Sequence, residues 1–227
     1  MTKKKLAIIL AAAVLVISLA AGSTLAYLTD KGDVTNTFTM GNVDIDLTEP
    51  HWDDTTDGKV LVPGDTLVKD PVVAATEGDS YMRVKVEIID TTTGLPITDT
   101  NRINLILSTI YTDPTYVIGG TVGTNIVEGT KYSAASIASF AGTNTADFTF
   151  DTTRAGDPSV RYYNYNSIFK TSDSDKAVLF TNVVIPTDFD NADLALLGSF
   201  SLKITAQAIQ SDNFASAAAA FTALDAA

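Results

Sequence analysis

Tyr81-Met82-Arg83-Val84-Lys85-Val86-Glu87-Ile88-Ile89 is the stretch that decides the fold. Met82, Val84, Val86 and Ile88 fall on one side of an extended chain and Arg83, Lys85 and Glu87 on the other. That is the period-two pattern of a half-buried strand. The same alternation sets Val43, Ile45 and Leu47 against Asp44, Asp46 and Thr48. It returns in Phe200, Leu202, Ile204, Ala206 and Ala208 against Ser201, Lys203, Thr205 and Gln207. Residues 178–185 are more continuously apolar, as expected of one strand buried on both faces. Shorter strands are expected at 59–62, 104–107 and 116–118.

Turn chemistry separates these runs. Pro63-Gly64 suits a type II turn, with proline fixing φ and glycine accepting a positive φ. Thr93-Gly94, Gly119-Gly120 and Gly156-Asp157-Pro158 break the middle of the chain. Many short strands with such breaks predict an all-β protein, a jelly-roll-like β-sandwich with short helices in loops and at the C-terminus. Residues 119–160, rich in Gly, Thr, Ser and Ala, read as long loops with a short helix near 133–140. Phe214, Ala217 or Ala218, Phe221 and Leu224 fall at helical spacing, with Ser211 or Asp212 as the cap, so a terminal helix is expected to pack its phenylalanines on the sandwich.

The N-terminus carries Lys3-Lys4-Lys5, an apolar run from Leu6 to about Ala21, then small residues at Thr24 and Ala26. This order predicts a secretory signal peptide over 1–26, cleaved to leave Tyr27 as the new terminus. The alternative is a permanent anchor; the run is alanine-rich and short of the ~20 residues a spanning helix needs. Residues 27–227 then form one domain, since roughly 200 residues bury about 70% of their unfolded surface, enough for a single sizeable core. No later segment reads as membrane-spanning, so the mature chain is expected to leave the membrane and to be secreted or held at the cell surface.

The formal charge of −12 becomes more negative by three when the signal lysines leave. Such acidity repels nucleic acid and anionic membranes, so neither is an expected partner. There is no cysteine, which removes thiolate metal sites and thiol catalysis and leaves the core to hold the exported fold alone.

Catalytic patterns are sparse. The only histidine is His51, beside Trp52, and HExxH and G-x-S-x-G are both missing. His51 reads as a loop or surface residue. No aspartate pair stands out for glycosidase work. Asp53-Asp54-Thr55-Thr56-Asp57-Gly58 resembles the first half of an EF-hand loop, but position twelve is Gly64 instead of a bidentate glutamate. Asp53, Asp54 and Asp57 are thus weak calcium candidates, and Asp173, Asp175, Asp188, Asp190 and Asp193 weaker ones; no other cofactor is expected. Tyr162, Tyr163 and Tyr165, beside Arg161, read equally as an exposed sugar- or protein-binding cluster and as a strand with one buried face.

Three stretches carry a family resemblance. They are Thr24-Leu25-Ala26-Tyr27-Leu28-Thr29-Asp30 with Asn36-Thr37-Phe38-Thr39-Met40-Gly41-Asn42-Val43-Asp44-Ile45, then Leu61-Val62-Pro63-Gly64-Asp65-Thr66-Leu67-Val68-Lys69-Asp70, and last 201–210. In order and spacing they resemble the TasA/camelysin family of Gram-positive bacteria. The resemblance implies a jelly-roll fold, processing by a dedicated ER-type signal peptidase, and assembly into biofilm-matrix fibres, alone or with an accessory matrix protein. In such fibres the segment after the signal completes a neighbour's sheet. Residues 27–40, with Val34, Phe38 and Met40 in alternation, are the matching exchangeable strand here. Camelysin relatives are described as metallopeptidases, an activity that transfers poorly to a chain with one histidine. The expectation is a non-enzymatic structural protein; a camelysin-like peptidase and a monomeric adhesin or carbohydrate-binding module stay open as alternatives.

Overall fold

The computed structural model describes residues 43–52, 61–118 and 142–226. The chain divides into two units, Met1–Asn36 and Thr37–Ala227, and all the described residues lie in the second. Their order is β1 (Asp44–Thr48), β2 (Thr66–Val68), β3 (Val72–Glu77), β4 (Ser80–Asp90), α1 (Thr100–Ser108), β5 (Ile110–Tyr111), β6 (Phe148–Phe150), β7 (Val160–Tyr165), β8 (Lys176–Val178), β9 (Asn182–Val184), α2 (Asn191–Leu197), β10 (Phe200–Gln210) and α3 (Ala217–Asp225). The strands form three antiparallel sheets, ordered β1-β3-β8, β10-β4-β7-β6 and β2-β9-β5. The main core draws Val73 and Ala177 from the first, Met82, Val84, Val86 and Ile88 from the second, and Val183 and Ile110 from the third. This is the all-β sandwich that the alternating runs predict.

β4 is its central strand. It pairs with β10 over its whole length, from Phe200 opposite Asp90 to Gln210 opposite Ser80, and with β7 on its other side. Met82, Val84, Val86 and Ile88 are at most 1% exposed, and each such side chain contributes roughly 1.5–3 kcal/mol by leaving water. β1 follows its sequence equally well, with Asp44, Asp46 and Thr48 exposed and Ile45 and Leu47 turned to the core.

The turns match their residues. The Asp65 amide donates to the Val62 carbonyl (3.0 Å) around Pro63-Gly64, and Gly64 has φ +91°. A side chain there would be strained. After β4, the Asp90 carboxylate accepts from the Thr92 and Thr93 amides at 2.8 and 2.9 Å, and Gly94 has φ +71°.

Other elements depart from the sequence reading. Residues 178–185 are buried throughout, as expected, but they are not one strand. β8 ends at Val178 in the first sheet and β9 begins at Asn182 in the third, so the run crosses between sheets through Leu179-Phe180-Thr181. At the crossover the Thr181 amide donates to the Tyr111 carbonyl (2.9 Å) and its carbonyl accepts from the Lys69 amide, while its hydroxyl accepts from the Asp113 amide and donates to Asn182 Oδ1 (2.6 Å). The predicted strand at 104–107 is part of helix α1. Asp99 caps that helix by accepting from the Arg102 amide (3.0 Å), and Ile103, Ile106 and Leu107 make its buried i, i+3, i+4 face. A four-residue apolar run carries too little periodicity to separate the two states. Residues 116–118 and 61–62 are not strands, while 59–60 and 133–140 lie outside the described residues. The supposed loop region contains β6, whose Phe148 and Phe150 pair with Tyr165 and Tyr163. Helix α3 starts from Ser216, which accepts from the Ala219 amide (3.3 Å), whereas Ser211 is held at the end of β10 by the Asp79 carbonyl.

Arg102 ties α1 to the end of the second sheet. Its Nη1 pairs with the Asp90 carboxylate, Nε donates to the Leu197 carbonyl (2.9 Å) and Nη2 to the Ser199 carbonyl (2.9 Å). The hydrogen bond from Arg102, with those from the Thr93 and Thr92 amides, lowers the Asp90 carboxyl from an ordinary 3.8 to about 2. A carboxyl depressed on folding stabilises above its unfolded pKa and loses that contribution as pH falls through its folded one. We therefore expect urea-unfolding midpoints of wild type and Asp90→Asn to differ at neutral pH and converge as pH falls from about 3.8 to about 2. A difference that is constant across that window would refute the assignment.

Candidate functional site

The β1–β3 register builds the one place where the lone histidine meets other polar groups. Thr48 is paired with Val72, so the turn after β1, Glu49-Pro50-His51-Trp52, lies beside the Lys69-Asp70-Pro71 corner that leads into β3. Asp70 is fully buried. Its Oδ1 accepts from the His51 amide (3.2 Å), and its Oδ2 lies 2.8 Å from His51 Nδ1 and accepts from the Tyr116 hydroxyl (2.6 Å). A buried carboxylate needs such partners, because an unpaired charge in the interior is strongly disfavoured.

Tyr116 reaches Asp70 from the turn after β5. There the Asp113 carboxylate accepts from both the Thr115 amide and hydroxyl at 2.7 Å, and the Tyr116 amide donates to the Asp113 carbonyl (3.1 Å). Beside this hub Lys69 Nζ binds both Glu49 carboxylate oxygens, at 2.8 and 2.9 Å, and sits 4.3 Å from the centre of the Trp52 ring. The Lys69 amide donates to the Thr181 carbonyl (3.0 Å), which fixes the corner to the strand crossover. His51 is thus a partly exposed turn residue, as the sequence suggests, but its ring is oriented by a buried carboxylate. Sequence reasoning misses Asp70 and Tyr116 as its partners, because they lie 19 and 65 positions away and only the β1–β3 and β5–β9 pairings bring them together.

The remaining candidate residues have structural places. Asp190 accepts from the Ala192 and Asp193 amides, and Asp193 returns a bond to the Asp190 amide, so the two form the capping box of α2. Asp175 accepts from the Lys170 amide (2.9 Å), and Asp173 lies 3.7 Å from Lys170 Nζ. Tyr163 is fully buried, Tyr165 packs edge-on against Phe148 and Phe169, and Tyr162 lies under the Arg83 guanidinium. The buried-strand reading of the tyrosines is therefore the correct one. Burial also pushes the Tyr163 hydroxyl well above its ordinary pKa. Arg83, placed outward by its alternation, is 1% exposed because α3 covers that face of the sheet. Asp53, Asp54 and Asp57, the cleavage residues Thr24, Ala26 and Tyr27, and Val34, Phe38 and Met40 lie outside the described residues.

A peptidase-type zinc centre requires three protein ligands and an open position. Among the described residues no three His, Asp or Glu side chains converge as such a set. His51 Nδ1 is engaged by Asp70, and both Asp70 oxygens are already bonded. The donors at this hub do not fit the metal. What the hub can do is fix the first described strand and its following turn to the sandwich.

Fold and hub together define an antiparallel β-sandwich whose single histidine is an anchoring residue. Residues 1–104 match the family model of the camelysin metallo-endopeptidases, in agreement with the TasA/camelysin assignment made from the sequence. The match contains His51, Asp70 and all of β1 to β4. No curated protein matches the chain.

Asp70→Asn should destabilise the fold by about 1–3 kcal/mol in urea titrations, the range for disrupting buried hydrogen bonds. His51→Ala should cost less, since its ring is partly in solvent. A double-mutant cycle should then show coupling of at least about 0.5 kcal/mol. Strict additivity would mean that the pair does not anchor the turn.

Proposed function

We propose that this protein is a secreted structural protein that assembles head to tail into extracellular fibres, its residues 27–40 adding to the sheet of the next subunit. The observation that carries this reading is the state of β10. Among the described residues it pairs with β4 alone, leaving an eleven-residue strand at the edge of the sheet. Phe200, Leu202, Ile204 and Ala206 share the inward face of β4 and pack against the core, yet each stays partly exposed. Edge strands are normally short, charged or covered, because the unpaired N–H and C=O groups of a long apolar edge recruit other strands. An extended segment gains main-chain hydrogen bonds at such an edge and seats alternate side chains. Val34, Phe38 and Met40 have the period-two spacing this requires. A head-to-tail contact of this kind does not close on itself, so it propagates as a filament.

In this proposal the signal peptidase has two effects: it releases the chain for export and it frees the joining strand at Tyr27. The mature subunit binds other copies of itself, with an accessory matrix protein as a further partner, at the cell surface or in the surrounding matrix. The family description also supports a second reading, a metallo-endopeptidase.

Two experiments separate these readings. Electron microscopy of a chain starting at Tyr27 should show fibres, whereas one starting at Gly41 should stay monomeric with an unchanged circular-dichroism spectrum. Fibres from both chains, or from neither at high concentration, would refute strand addition. Purified mature protein should leave casein intact; cleavage that a chelator abolishes would establish the peptidase instead.

A further inference from the structure

Helix α3 lies on the outer face of the β10-β4-β7 sheet through very few groups. Of its residues only Ala220 and Phe221 are buried. They belong to a small cluster with Ile209, supported by Tyr81, Phe214, Ala217 and Leu224, which is separate from the main core. The second attachment is ionic. Arg83, 1% exposed, lies between the rings of Tyr162 and Phe221, 4.7 and 4.6 Å from their centres. Its Nε donates to Gln207 Oε1 (2.7 Å), while Nη1 and Nη2 grip the two oxygens of Asp225, the former at 3.1 Å. Asp225 also accepts from Arg154 Nε (2.6 Å), and Arg154 Nη1 in turn reaches Asp151 (2.6 Å).

Asp225 is placed against local helix preference. It ends a nine-residue helix that has no basic residue in its last turn, where the macrodipole disfavours negative charge. A helix this short is also marginal in water. Its position is explained by Arg83, which the docked helix buries and which therefore needs a carboxylate partner as long as α3 stays in place. The pairing with Arg83, ahead of that with Arg154, lowers the Asp225 carboxyl below its ordinary value, so it is charged at neutral pH.

We propose that residues 214–226 are a detachable strap, leaving and re-docking on the sheet as one unit while the sandwich stays folded, with Asp225 as its pin. The hinge is the turn after β10, where Asn213 has φ +72°. Lifting the strap uncovers a charged, ring-flanked face on β4 and β7 without opening the main core. This inference does not depend on fibre assembly.

Hydrogen exchange followed by mass spectrometry on the mature chain tests it, using wild type, Asp225→Asn and Phe221→Ala. In wild type, 214–226 should exchange together and faster than β4. Either substitution should speed that segment by about tenfold or more while 84–88 keep their protection. Unchanged exchange of 214–226 in both variants would overturn the proposal. So would loss of protection in 84–88 together with the helix in either variant, because the strap would then be part of the global fold.

Discussion

The antiparallel ladder between β4 and β10 is the constraint on which the rest of this structure depends. Eleven consecutive pairs fix the register, and register fixes which side chains enter the core. A slip of one residue would put Arg83, Lys85 and Glu87 into the core in place of Val84, Val86 and Ile88. β7 then pairs with β4 and β6 with β7, which stacks Phe148, Phe150, Tyr163 and Tyr165 on one face. The outer face is shaped by the same register, since Arg83 and Gln207 are direct partners and both contact the terminal helix or its charge pair.

Against that frame the His51 hub is a joint. The first described strand is short, and its ladder to β3 includes an irregularity at Asp44/Ile45. The bonds from His51 and Tyr116 to one buried carboxylate, with the Glu49–Lys69 pair beside them, hold the chain where it leaves β1. The family name points to catalysis, but the geometry of these residues points to anchoring.

The long strands were legible because their apolar residues alternate over five or more positions and both faces have distinct environments. The short ones were not. β5 has two residues and β2 three, too few for any period, and they exist because β9 lies between them. The Asp190–Asp193 capping box is spaced in the sequence to start a helix with Leu194 and Leu197 behind it, but clustered aspartates carry the same signature as a cation loop. The crossover at 179–181 and the burial of Arg83 were beyond local pattern: each depends on which distant element arrives. The same holds for the site, where His51 was visible and its partners were not.

The central ladder also sets the order of events in time. Arg83 and Gln207 are 124 residues apart, and their strands pair along the whole of β4. Nearly the entire chain must therefore be present before the principal sheet can close, and such long-range pairing is intrinsically slow. During synthesis from the N-terminus, that delay keeps β4 without its partner until the C-terminal part has emerged. Early closure of the principal sheet on a partial chain is thereby disfavoured by topology alone.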